Sequence, residues 1–210
     1  DRTSFALVAV AWPLPVLFAA LFGVLLLHRA QQLPRGPVAD VFSVVNRRTQ
    51  TQPVGVVGLG TGGLASYARV GQPFTFYEID PVVARIAREH FFYLRRSTGE
   101  VDVVLGDGRL RLRDEPTDHF GLIIIDAFSG DAIPAHLATL QAIDLYFDKL
   151  REDGLLLFHV SNKYVQLHPV LANIAERLGL WRCRPPPIHN WLFISRRPRR
   201  APPRCRARRT

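Results

Sequence analysis

Residues 54–63, Val-Gly-Val-Val-Gly-Leu-Gly-Thr-Gly-Gly, constrain this chain more than any other stretch. An apolar β-type run empties into a glycine cluster, and a second run, Phe74-Thr-Phe-Tyr-Glu-Ile-Asp80, ends in acid. A strand, a glycine turn and a helix start together bring bare backbone and unpaired N–H groups up to a ligand. Glu78, near the tip of the second strand, is placed to accept from ribose hydroxyls. This predicts an α/β, Rossmann-like sheet with a nucleotide or nucleoside site. Asp80 precedes Pro81 and reads as the cap of the following helix.

The glycine loop alone leaves its ligand open. Gly58, Gly60 and Gly63 satisfy G-x-G-x-x-G, while Gly58, Gly60 and Gly62 satisfy G-x-G-x-G, so a dinucleotide and S-adenosylmethionine are both allowed. Leu105-Gly-Asp-Gly-Arg109 follows a third strand candidate. Asp107, between Gly106 and Gly108, suits a backbone curled around an adenine edge, although an ordinary turn uses the same residues. A third-strand acid tilts the choice toward an S-adenosylmethionine-type ligand. Asp126 closes the most hydrophobic run, Gly121-Leu-Ile-Ile-Ile-Asp126, where ligands bind in open α/β sheets. A carboxylate there can orient an amine or accept its proton. Asp131 is a second candidate in the same loop, and His159 and Asn162, closing a fifth strand, rank behind both.

Strands are expected at 54–58, 74–79, 101–105, 121–126, 154–160 and 190–195, with a weaker one near 180–184. Helices are expected at 62–69, 81–91, 135–150 and 167–178. Continuous apolar strands fit a sheet covered on both faces, and right-handed crossovers put the strand C-termini on one edge.

Residues 5–27 are uncharged and almost entirely apolar, long enough to cross a bilayer core of about 30 Å as a helix. Arg29 and Arg35 on its C-terminal side place the remaining chain in the cytoplasm, with the protein at the inner or cell membrane. The expected organisation is a transmembrane helix in 1–30, a linker with a short helix (38–45) in 31–53, the α/β domain in 54–195, and a basic, disordered tail in 196–210. Eight arginines in that tail account for nearly all of the +9 net charge. The folded part is close to neutral, and the tail has no aromatic residue to stack a base, so no nucleic-acid partner is expected. Cys183 and Cys205 have neither metal-ligand spacing nor a disulfide framework, and no metal is expected. A chain that starts with Asp and contains no Met reads as a piece of a longer product.

Val57-Gly-Leu-Gly-Thr-Gly, Tyr77-Glu-Ile-Asp-Pro81, Gly106-Asp-Gly, Asp126-Ala-Phe and Asp153-Gly-Leu-Leu, in that order, resemble the spermidine/spermine synthase family. Asp126-Ala-Phe-Ser-Gly-Asp-Ala-Ile-Pro-Ala-His-Leu-Ala-Thr139 and His159-Val-Ser-Asn-Lys-Tyr164 resemble its bacterial branch, whose catalytic domain follows a membrane-embedded region. The resemblance implies a methyltransferase-type sheet and an aminopropyl transfer from decarboxylated S-adenosylmethionine to a polyamine amine. It implies that Gly58, Gly60, Thr61, Gly62 and Gly108 surround the nucleoside, with Glu78 on the ribose and Asp107 on the adenine. Asp126, with Asp131 behind it, would handle the amine. It leaves a homodimer open. Thr61 stands where the family carries an acid for the aminopropyl ammonium, and between the apolar helix and Val38 there is no room for the family's small N-terminal β-domain. Those departures keep two rivals in view: an S-adenosylmethionine-dependent methyltransferase, and a non-catalytic, membrane-tethered nucleoside-binding domain.

Overall fold

The computed structural model describes residues 39, 42, 52–128, 133–160, 166–183 and 190–196. The chain divides into Asp1–Gly36 and Pro37–Thr210, and every described residue belongs to the second unit. The expected span at 5–27 and the tail beyond Arg196 lie outside the described residues. Among those that are described, no helix is long and apolar enough to cross a membrane.

Seven strands form one sheet: β1 (Val54–Val57), β2 (Pro73–Glu78), β3 (Glu100–Leu105), β4 (Phe120–Ile125), β5 (Leu150–His159), β6 (Trp181–Cys183) and β7 (Trp191–Ser195). Their order is β3-β2-β1-β4-β5-β7-β6. The first five run parallel, and β7 is antiparallel to both β5 and β6. The helices are α1 (Pro81–His90), α2 (Tyr93–Arg96), α3 (Gly108–Asp114), α4 (Leu140–Lys149) and α5 (Leu167–Arg177).

The alternation of side chains along each strand explains the two-sided burial. Ile123 and Ile125 of β4, with Leu156 and Phe158 of β5, pack on one face with Leu112 of α3, Ile143 and Tyr146 of α4 and Leu171 of α5. Leu122 and Ile124, with Leu155 and Leu157, turn to the other face, against Ala84 and Ala87 of α1. Every residue of β4 is buried, so its continuous apolar run is what a doubly covered strand requires. Phe42, one of two described residues in the expected 38–45 helix, is helical and stacks on Tyr67 at 5.0 Å.

Helix ends follow their capping residues. Asp80 Oδ1 accepts from Val82 N at 2.8 Å with Pro81 in the first turn, as its sequence position requires. The expected 135–150 helix breaks in two. A 3₁₀ turn, Ala135–Ala138, precedes Thr139, whose hydroxyl accepts from Ala142 N and starts α4. The expected 62–69 helix is a shorter 3₁₀ turn, Gly63–Tyr67. Arg196, the first residue of the basic tail, donates from its guanidinium to Phe147 O at 2.7 Å and so is fastened to α4.

Candidate functional site

Sheet register puts the chemistry in one row. Val57 pairs with Tyr77 and with Ile125, and Ile125 pairs with Phe158. One residue further along these strands come Gly58, Glu78, Asp126 and His159, side by side along the C-terminal edge. The chain reverses its winding direction at β1 and β4, which makes this the topological switch point where α/β sheets bind ligands. From β2 to β5 is three inter-strand spacings, roughly 14 Å, the reach of a nucleoside with an extended substituent.

The glycine loop is held from both sides. Gly58 N donates to Tyr77 O and Asp126 N donates to Val57 O, each at 2.9 Å. Gly58 has φ 97°, and a Cβ on it would collide with the Asp126 carbonyl oxygen, so no larger residue fits. Glu78 is only 8% exposed. Its Oε2 accepts from Leu59 N and its Oε1 from Asp80 N, both at 2.9 Å. A carboxylate offers about four lone-pair positions, so two amides leave capacity for a ribose diol. A Cβ on Gly60 would meet nothing within 4 Å, so the loop backbone is bare on that side.

Asp107 is the N-cap of α3: Oδ1 accepts from Leu110 N at 3.0 Å. Its Oδ2 lies 3.0 Å from His136 Nε2. Arg109 donates to His136 O at 3.0 Å, so the 3₁₀ turn before α4 is tied down over α3. At the other end of the row His159 Nδ1 lies 2.7 Å from Asp126 Oδ1. The imidazole stacks on Trp191 at 4.4 Å with 10° between planes, and Phe128 meets it edge-on at 4.8 Å.

These groups line one cavity of about 540 Å³, within the ordinary range for small-molecule sites. Gly58, Gly60, Glu78, Asp107, Gly108 and Asp126 all reach its wall. Thr61 and Gly62 do not: Thr61 is exposed, and Gly62 faces Leu94 of α2. Asp131 and Asn162 lie outside the described residues. His136 and Phe128, which belong to the Asp126–Thr139 motif but carry no role in the sequence reading, are on the wall, and His159 holds a more central place than its rank there. Tyr77 backs the cavity and donates from its hydroxyl to Glu115 Oε1 at 2.7 Å. Burial first, then that carboxylate, pushes its phenol far above the usual range. Among the described residues no group of three or more His, Cys, Asp or Glu is arranged to hold a metal.

No protein-family model matches the chain. It is 30% identical over 117 residues to a polyamine aminopropyltransferase of Vibrio vulnificus, covering 52% of this chain and 38% of that protein. It is 29% identical over 166 residues to an N-terminal histidine N-methyltransferase of Emericella nidulans, covering 76% and 27%. The chain thus spans well under half of either relative. Among solved structures, spermidine synthase from Thermotoga maritima superposes with TM-score 0.57 at 18% identity, over 75% of this chain and 57% of that one. Human methyltransferase-like protein 13, solved with SAH, gives 0.59 at 17%, over 75% and 80%. These structural likenesses establish the fold, a seven-stranded α/β sheet of methyltransferase type, and both sequence relatives are transferases. The chain is thus similar in sequence to a polyamine aminopropyltransferase and in fold to spermidine synthases and methyltransferases alike.

Proposed function

We propose that this chain is an aminopropyltransferase-like enzyme that takes decarboxylated S-adenosylmethionine as co-substrate and a polyamine amine as acceptor. The observation that carries the reading is the single row of Glu78, Gly58 and Asp126 at the switch point of one cavity. Glu78 would receive the ribose hydroxyls with its remaining lone pairs, and the bare backbone at Gly58 and Gly60 would lie along the nucleoside. Asp107 and Gly108 would face the adenine. Asp126 would stand at the reacting end, with Asp131 as a second carboxylate. The reaction is an in-line displacement at the carbon beside the sulfonium, helped mainly by positioning. The test is mass-spectrometric detection of methylthioadenosine and the lengthened polyamine, with decarboxylated and intact S-adenosylmethionine compared as donors.

A second reading, methyl transfer from intact S-adenosylmethionine, is favoured by Thr61, which supplies no acid to select an aminopropyl ammonium. The histidine N-methyltransferase relative supports it as well. Methylated product from intact S-adenosylmethionine, with no transfer from the decarboxylated donor, would select it. Tight nucleoside binding with no transfer from either donor would select the non-catalytic reading. For residues 5–27 we propose a membrane anchor with the α/β domain on the cytoplasmic side. Carbonate extraction of the full chain against a version starting at Gly36 tests this, and equal solubility of the two would remove it.

A further inference from the structure

We infer that His159 is the base that takes the proton from the acceptor nitrogen, and that Asp126 is its positioning residue. The inference rests on the sulfonium-alkyl-transfer reading and assigns the proton, which that reading leaves near Asp126. Three contacts fix the ring. Asp126 Oδ1 lies 2.7 Å from Nδ1, Trp191, its register partner on β7, stacks on one face, and Phe128 packs edge-on. An ionised carboxylate can only accept, so Nδ1 is the donor in this contact, and in the neutral imidazole Nε2 then carries the lone pair.

No described residue bonds to Nε2, and both His159 and Asp126 line the cavity. Of the other ionisable groups on that wall, Tyr77, Glu78, Asp80, Asp107 and His136, none pairs with the His159 ring. The arrangement is that of a base held by an orienting acid, and an imidazole is better matched than a carboxylate to proton transfer near neutral pH.

The acceptor arrives as R–NH3⁺ and gives one proton to Nε2, and the imidazolium is stabilised by Asp126. The freed lone pair attacks the carbon next to sulfur. A C–N bond forms, the C–S bond breaks, and its electron pair leaves sulfur as a neutral thioether. The lengthened amine keeps its remaining hydrogens as a secondary ammonium, and His159 returns its proton to water as the products leave.

His159→Gln removes the base while keeping a polar side chain, and His159→Ala opens space for a free imidazole. With decarboxylated S-adenosylmethionine and spermidine, both should lose ~10²–10⁴-fold in kcat, with methylthioadenosine affinity unchanged as the check on folding. Added imidazole should restore His159→Ala. An acceptor that is unprotonated at the assay pH, such as methoxyamine, should react equally well with wild type and His159→Gln. In the wild-type chain, nitrogen-15 spectra of the ring should show the Nδ1–H form. His159→Gln at full rate, or a loss that neither imidazole nor methoxyamine relieves, overturns the base role and leaves the transfer reading standing. A wild-type chain that moves no alkyl group from either sulfonium donor overturns the transfer reading, and the base role falls with it.

Discussion

Glu78 Oε2 accepts a hydrogen bond from Leu59 N at 2.9 Å, so the acid of the second strand holds the glycine loop of the first in place. The same carboxylate takes Asp80 N on its other oxygen. It therefore shapes the loop before any ligand arrives. Glu78→Gln puts an amide N–H against one of these backbone donors in a site with 8% exposure. Losing a buried partner costs about 1–3 kcal/mol, and both urea stability and methylthioadenosine affinity should fall by amounts of that order. A variant with unchanged stability but weaker binding would show that the carboxylate contacts ligand without organising the loop.

Two glycines separate architecture from ligand access. Gly58→Ala sets a Cβ against the Asp126 carbonyl and should lower stability by about 1–3 kcal/mol, the usual cost of overpacking. At Gly60 (φ 54°) the only cost is backbone strain, because a Cβ there meets nothing. Gly60→Ala should stay folded, destabilised by about 1–2 kcal/mol for an L-residue in the left-handed region, and lose nucleoside affinity by narrowing the cradle. Calorimetry on the two variants, after thermal melts, distinguishes them.

Asp107 has two jobs that two substitutions pull apart. Asparagine caps helices about as well as aspartate, whereas alanine gives up about 1 kcal/mol. Asp107→Asn should therefore keep α3 while removing the charge that meets His136 and, under the adenine assignment, the adenine amine. Asp107→Ala should lose stability as well. Equal melting temperatures for the two would contradict the capping role.

Stability should fall in alkali. Burial pushes the Tyr67 phenol up to about 12 from 10.0, and Tyr77 and Tyr146 shift in the same direction, also chiefly through burial. A raised native value means the folded state holds its proton longer than the unfolded one. The stability tied to it is complete below pH 10, where the unfolded phenol titrates, and is lost as pH rises toward about 12. Melting temperature measured from pH 8 to 11 should be flat and then decline, with a shallower decline in Tyr67→Phe.

The middle of the sheet was legible because β1, β4 and the Leu155–Phe158 part of β5 are continuous apolar runs, and β4 is the extreme case. Two helices were not. Residues 108–114, Gly-Arg-Leu-Arg-Leu-Arg-Asp, alternate with a period of two and come after a Gly-Asp-Gly that resembles a turn, yet Asp107 caps a helix that buries Leu112. α2 is four residues long, too short to show a period. The antiparallel course of β7 and the Asp126–His159 contact are long-range facts. They become visible only when β4 lies beside β5 in register, at which point two strand-end residues stand at one height. What could have raised His159 in rank is that it and Asp126 each end an apolar run of the inner sheet.

The central claim, a sulfonium-nucleoside site along the row from Glu78 to Asp126, is tested most directly by one set of calorimetric titrations. The chain is titrated with decarboxylated S-adenosylmethionine, S-adenosylmethionine, methylthioadenosine and NAD. The three adenosine thioether or sulfonium ligands should bind with one site per chain, and each should weaken by about 1–3 kcal/mol in Glu78→Ala, with NAD weaker than all of them. NAD binding tighter than every sulfonium nucleoside, and surviving Asp107→Ala, would contradict the assignment.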